Sequence, residues 1–263
     1  MYLIKIGGGK GINLKGIISD LSAQNEKMII VHGANAARDE LASKIGFQKK
    51  VVTSLSGYDS VLSDEMTIDL MMMTYAGLIN KRIVELCHMH GINAVGLSGL
   101  DGKTIQGKRN SGIKVREGGK TLLLRDFSGK PKSINKELIN LLIENGYTPV
   151  LCVPLIDENN CAINSENDDV IALLHSEFKA EKVISLIEEP GFLLDKNDPS
   201  TLVSNISKEE LETMEQKVVG RMKRKILALR KLFESGDTTV ILCDGRTEHP
   251  IIDALNGKGT IIK

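Results

Sequence analysis

The chain has 263 residues, enough for one large α/β domain or for two lobes around a substantial core. Lys plus Arg and Asp plus Glu each number 34, so no global field draws the protein to nucleic acid or an anionic membrane. Five Phe, four Tyr and no Trp leave little material for the stacking platforms that bind single strands.

The first element along the chain is a strand over residues 2–6, carrying Lys5 and ending in Gly7, Gly8 and Gly9. A second strand, 28–32, closes on Gly33 and is followed by a helical stretch. Asp64 is placed to cap a long helix through "EMTIDLMMMTYAGLINKRIVELCHMH", which Gly91 stops. After a strand at 94–97, residues 105–131 interrupt the rhythm and read as a hairpin insertion turning at Gly118-Gly119. Asn135 then caps "KELINLLIEN", with Leu138, Leu141 and Leu142 on one face and Gly146 as the stop. Further strands fall at 148–153, 183–187, 239–243 and 259–262. Several are apolar throughout, as parallel strands covered on both faces are, and their alternation with helices predicts a three-layer αβα sandwich around a mainly parallel sheet.

Cys87, Cys152 and Cys243 sit in apolar stretches, Cys161 does not, and no C-x-x-C pair occurs. These are the thiols of a reducing compartment. His88 and His90 lack companion ligands and read as a solvated helix end, so no metal site is expected. The Met71-Met72-Met73 run reads as helix core with one exposed neighbour. The chain opens directly into a strand, without a basic-then-apolar leader, and no apolar run approaches the roughly 20 residues of a membrane span. A cytoplasmic protein is the expectation.

Five stretches gather chemistry at strand ends: Lys5–Gly9, "VHGANAARDE", "LSGLDGK", "INSENDD" and "GRMKRK". The first is not a P-loop, because no Ser or Thr follows Lys10 and the glycine spacing is wrong. Free backbone N–H groups at such turns nevertheless suit an anion. Taken singly, each has a plainer explanation: turn glycines, an acid-rich helix start at Glu166, Asp168 and Asp169, a solvated basic helix face at 220–225.

Their order along the chain carries more. "IKIGGG", "VHGANAARDELASKIG", "SGYDS", "AGLINKRIVELC", "GINAVGLSGLDGK", "GYTPVLCVPL", "AINSENDD", "GRMKRK" and "HPIIDALNGKGT" resemble the amino-acid kinase family from the first strand to the last. Within it, the chain is similar to the acetylglutamate-kinase-like enzymes of arginine and lysine biosynthesis. "SGLDG" and "GRMKRK" favour the members that act on glutamate or α-aminoadipate attached to the carrier protein LysW. The resemblance implies a two-lobed kinase, with residues 1–170 binding substrate and dimerising and 171–263 binding ATP. ATP, with Mg2+ held largely by its phosphates, would convert a side-chain carboxylate to an acyl phosphate. By motif match Lys5 and Lys225 neutralise the phosphoryl group, Asp168 holds the lysines, and Gly7, Gly8 and Lys223 serve the phosphates. Gly33, Ala34, Asn35, Val61 and Asn164 fall at the substrate positions. A homodimer through the 64–90 helix is expected.

The chain departs from the family pattern in four places. Ala34-Asn35 replace two glycines, and Val61 stands where relatives carry an arginine for the substrate carboxylate. Ile187-Glu188 replace a Ser-Asp or Ser-Asn at the nucleotide edge, and Asn167 replaces a small residue. Losing a bidentate arginine costs recognition of that carboxylate. Arg38, one turn past Gly33, is the compensating cation or else an exposed helix arginine. The insertion's Lys108, Arg109, Lys114 and Arg116 either face an acidic carrier or are simply solvated. A free-standing acetylglutamate kinase and a catalytically silent regulator are the competing readings.

Overall fold

The computed structural model describes residues 1–48, 50–53, 59–195, 197–217, 220–234 and 236–263; the side chains at 59–61, 117, 217 and 220–225 lie outside the described residues. Eight strands form the main sheet: β1 (Tyr2–Ile6), β2 (Met28–His32), β3 (Ala94–Ser98), β4 (Thr148–Cys152), β5 (Lys182–Ile187), β6 (Asn205–Ile206), β7 (Thr239–Asp244) and β8 (Thr260–Ile262). Their spatial order is β6-β8-β7-β5-β1-β2-β4-β3. From β7 to β3 every pairing is parallel, and β8 turns antiparallel against β7. The expected strands all lie here within one residue of their predicted ends. The addition is β6, whose two residues are too short to show a period.

Helices cover both faces: α1 (Leu14–Ser22), α2 (Asn35–Lys44), a continuous helix α3 built of Glu65–Met71, Met72–Ile79 and Asn80–Met89, α4 (Lys136–Glu144), α5 (Asn167–Phe178), α6 (Lys208–Lys217), α7 (Gly220–Glu234) and α8 (Pro250–Leu255). Strand alternation splits the core in two. Leu3, Ile29, Val31 and Val183 pack with α4, α5 and α7, while Tyr2, Ile4, Ile6 and Ile184 pack with α1 and α8. Each such aliphatic side chain, removed from water, stabilises the fold by about 1.5–3 kcal/mol. α3 contributes Ile68, Met71 and Tyr75 to the first cluster and Ile83 and Cys87 to the second, crossing from one face to the other.

Asp64 caps α3 as expected, accepting from the Thr67 amide at 2.8 Å, but the helix is not regular. Met72–Ile79 is π-helical. Thr74 Oγ1 donates to the Leu70 carbonyl at 2.6 Å, the kind of side-chain intrusion that disturbs the i→i−4 ladder. Met71 is buried, but Met72 and Met73 are both exposed, one more than the sequence suggested. Asn135 caps α4 through the Leu138 amide at 3.1 Å. Its apolar face centres on buried Ile139, with Leu142 and Ile143 three and four residues on; Leu141, two residues on, points to solvent at 59% exposure.

The insertion is a hairpin as predicted. Ile113–Glu117 pairs antiparallel with Lys120–Leu124, and Gly118 and Gly119, at φ 55° and 79°, make the left-handed turn that only glycine adopts freely. Its base is the antiparallel pair Ile105–Arg109 and Gly129–Ile134, extended by Leu155–Ile156 and Ala162–Ile163 into a second, four-stranded sheet. Cys87, Cys152 and Cys243 are buried, and burial pushes the first two thiols up to about 12, so they are chemically quiet.

Candidate active site

Lys5 is the fourth residue of β1, the strand between β5 and β2. Period-two alternation sets it on the Leu3 face, under α5. Its ammonium donates to Asp168 Oδ1 and is 16% exposed, against 42% for the aspartate. Asp168 and Asp169 occupy the first turn of α5, where the helix amino end favours anions. They divide the work: Asp169 pairs with Lys231 of α7 at 3.6 Å, while Asp168 reaches across the sheet to Lys5.

Beyond the pair, a cavity of about 280 Å³ runs between the sheet and α7. Lys5, Asp168, Ser185 and Glu189 supply its polar wall; Ile187, Phe192, Leu193, Leu229 and Leu242 supply much of the apolar one. Lys223 and Lys225 belong to α7, whose later residues Ala228, Leu229 and Leu232 line this cavity; their side chains lie outside the described residues.

The glycines after β1 serve close approach. Gly7 donates to the Leu186 carbonyl at 2.9 Å. Added to Gly8, a methyl group would sit 2.6 Å from the backbone nitrogens of Ala34 and Asn35, so the loop lies directly on the amino end of α2. At Gly9 it would collide with the Glu188 carboxylate, which accepts from the Gly11 amide at 2.8 Å. Glu188, read from sequence only as a departure at the nucleotide edge, thus holds the outer part of the glycine loop.

On the β2–α2 side, Gly33 and Ala34 are buried and meet Gly8. Asn35 Oδ1 accepts from the hydroxyl of Tyr75, a buried residue of the π-helical segment that the sequence did not single out. Burial raises the phenol to about 12. A buried tyrosine requires such partners, which is the only sequence signal it carries. Arg38 is not an exposed helix arginine: its side chain is 15% exposed, and Nε and Nη2 bond Asp39 Oδ1 at 3.0 and 2.8 Å.

Asn164 donates through Nδ2 to Ser63 Oγ at 3.0 Å. The Ser63 amide donates to Asp126, a fully buried carboxylate that also takes both donors of Ser128. Arg109 stacks on Phe127 at 3.8 Å and donates to the Asp126 carbonyl, so the hairpin base is tied to the Asn164 segment. Ser63 and Asp126 escaped the sequence reading. Val61 ends the strand Asp59–Val61, with its side chain outside the described residues.

Beneath Gly33, buried His32 meets the Gly33 carbonyl through Nδ1 at 3.3 Å and the Asn80 amide through Nε2 at 3.1 Å. These partners call for a neutral ring with its proton on Nδ1. Burial depresses its pKa from 6.5 to about 4. Below pH 6.5 the unfolded chain therefore binds a proton that the folded chain refuses until about pH 4, and stability falls as pH drops through that window. The loss reaches about 3 kcal/mol at its lower end. Urea unfolding at pH 7 and 4.5 will show it as an excess loss over His32→Gln, which lacks the titrating ring.

A lysine–aspartate pair beside a glycine loop, at the carboxyl ends of parallel strands and opening on an apolar cavity, is the architecture of a phosphotransferase. The chain belongs to the amino acid kinase family, whose profile matches residues 2–244. It is 37% identical to the LysW-aminoadipate kinase of Thermus thermophilus over all of both chains. It is 36% identical to the LysW-aminoadipate kinase of Deinococcus radiodurans, over all of this chain and 91% of that one. Among solved structures it is similar to N-acetylglutamate synthase from Neisseria gonorrhoeae, with TM-score 0.78 at 17% identity over 99% of this chain and 58% of that one. That likeness concerns the fold.

Proposed function

We propose that the protein uses ATP to phosphorylate the side-chain carboxylate of an amino-blocked acidic amino acid, LysW-linked α-aminoadipate or glutamate, in lysine or arginine biosynthesis. The observation that carries this reading is the Lys5–Asp168 pair at the meeting point of the glycine loop, the amino end of α2 and the cavity under α7. Phosphoryl transfer asks a protein mainly for position and compensating charge. Lys5 supplies charge, and Asp168 fixes where that charge sits. The apolar cavity suits an adenine ring, which supports residues 171–263 as the nucleotide side and residues 1–170 as the acceptor side. Lys223 and Lys225 serve the nucleotide phosphates. Among the described residues no three His, Cys, Asp or Glu are grouped to hold a metal, and magnesium arrives on the nucleotide.

Gly33, Ala34, Asn35 and Asn164 hold the acceptor, with Arg38 as cation for its second carboxylate. The relatives' LysW names support a carrier as partner. So does charge: residues 105–134 hold eight Lys or Arg against Glu117 and Asp126, and Asp126 is buried. Exposed Met66, Met72, Met73, Leu78 and Met89 on α3 support a homodimer through that helix. No helix among the described residues is long and apolar enough to cross a membrane.

Hydroxylamine trapping with Mg-ATP tests the reading on N-acetylglutamate, N-acetylaminoadipate and the two LysW-linked acids. Hydroxamate from a carrier-linked acid alone is the expected result. Hydroxamate from N-acetylglutamate alone would make the protein a free-standing acetylglutamate kinase. None from any, with ATP bound, would overturn the proposed acceptor class.

A further inference from the structure

We propose that Asn167 is a catalytic residue whose side-chain amide donates a hydrogen bond to an oxygen of the phosphoryl group in transfer. The proposal rests on the carboxylate-kinase reading and adds a donor to it. Asn167 is the first residue of α5, immediately before Asp168. Among the described residues its Oδ1 is buried with no hydrogen-bond partner, and none of their hydrogen bonds uses its Nδ2. A buried amide oxygen left unpaired is costly, and a residue needed only to start a helix has no reason to keep one.

The neighbours show where the amide faces. A methyl group added to Gly33 would lie 2.9 Å from the Gly8 nitrogen and 3.4 Å from Asn167 Nδ2. Both nitrogens therefore border one small volume that stays open because residue 33 has no side chain. Among the described residues the Gly8 N–H has no acceptor. Lys5, through Asp168, stands beside the same segment. Two unpaired N–H donors and an ammonium at one site call for an oxygen-rich anion. The flattened PO3 unit of phosphoryl transfer offers three equatorial oxygens.

Asn167 faces the Gly8 N–H across the space that Gly33 leaves open and adds a second donor to it. A neutral amide does so without a charge that would disturb Asp168 or titrate near neutrality. In the step itself an acceptor carboxylate oxygen forms a bond to the γ-phosphorus. The bond from phosphorus to the bridging oxygen breaks, and its electron pair leaves on ADP. No proton passes through Asn167.

The test pairs steady-state kinetics with calorimetry of MgADP alone and MgADP plus aluminium fluoride, a mimic of the group in flight. Asn167→Ala is expected to melt as wild type does, bind MgADP unchanged, and lose about 100-fold in kcat and in the tightening that fluoride confers. Asn167→Asp, of the same shape but without the NH2, is expected to lose at least as much. Wild-type fluoride tightening in Asn167→Ala would overturn the proposal. So would a rise in acceptor KM at unchanged kcat, which would put the amide on the acceptor instead. Failure of the acceptor reading is seen separately, as wild type yielding no hydroxamate from any acid; the fluoride titration then still decides Asn167.

Discussion

Lys5→Ala is expected to lower turnover at least about 1,000-fold while leaving the fold intact. The moving phosphoryl group spreads negative charge over its oxygens, and a single cation fixed beside it supplies a rate factor of about 10³ or more. Lys5 is fixed: its stem rises from the central strand and its ammonium is held by Asp168. Stability depends far less on the pair, because Asp168 is 42% exposed and solvent screening leaves such a pair about 1 kcal/mol or less. Rate and stability therefore separate. Asp168→Asn keeps the shape and removes the anchoring charge, so it should cost less than Lys5→Ala, roughly 10- to 100-fold for a displaced cation. The double variant should be little slower than Lys5→Ala, since the aspartate acts through the lysine. Initial rates of hydroxamate formation and thermal melts of all three proteins measure this. Wild-type turnover in Lys5→Ala would remove the residue from the mechanism.

What the sequence made legible follows from how far each signal reaches along the chain. β1 and β2 could be placed because apolar runs end in glycine, and α4 because Asn135 and Gly146 bracket it; these signals span a few residues. The pairing of Lys5 with Asp168 spans 163 residues and came only through family resemblance, not through any period. Contacts with no such guide were missed. Glu188 reaches the Gly11 amide across 177 residues, and Tyr75 reaches Asn35 across 40 from a π-helical segment that regular helix rules do not foresee. Arg38 shows the same limit. Arginine usually faces water, and only the surrounding elements decide that this one is largely covered. The departures at Ala34 and Asn167 were visible as letters, but their meaning lay in the third dimension, where Gly8 packs on the Ala34 backbone and the Asn167 amide borders the space that Gly33 leaves open.

Gly8→Ala is expected to damage the site in a way that an ordinary glycine replacement does not. Gly8 is not among the glycines with positive φ, so an alanine there has no conformational penalty of that kind. Its penalty is steric. The new methyl would lie 2.6 Å from the nitrogens of Ala34 and Asn35 and 2.8 Å from the Gly33 carbonyl carbon, all backbone atoms that cannot rotate aside. The two loops are also tied together, Gly33 donating to Ile6 and Ala36 to Gly8, both at 2.9 Å. They must move apart together, at about 1–3 kcal/mol of stability for overpacking. A shift of ~1 Å between groups that grip the phosphoryl costs about 100-fold in rate. Gly46 is the control: its φ is +71° and nothing lies within 4 Å of an added methyl. Gly46→Ala should lose about 1 kcal/mol through its backbone alone and keep its kcat. Urea midpoints with kcat at saturating ATP distinguish the two cases. Equal kcat in Gly8→Ala and wild type would mean that the loop does not grip the group being transferred.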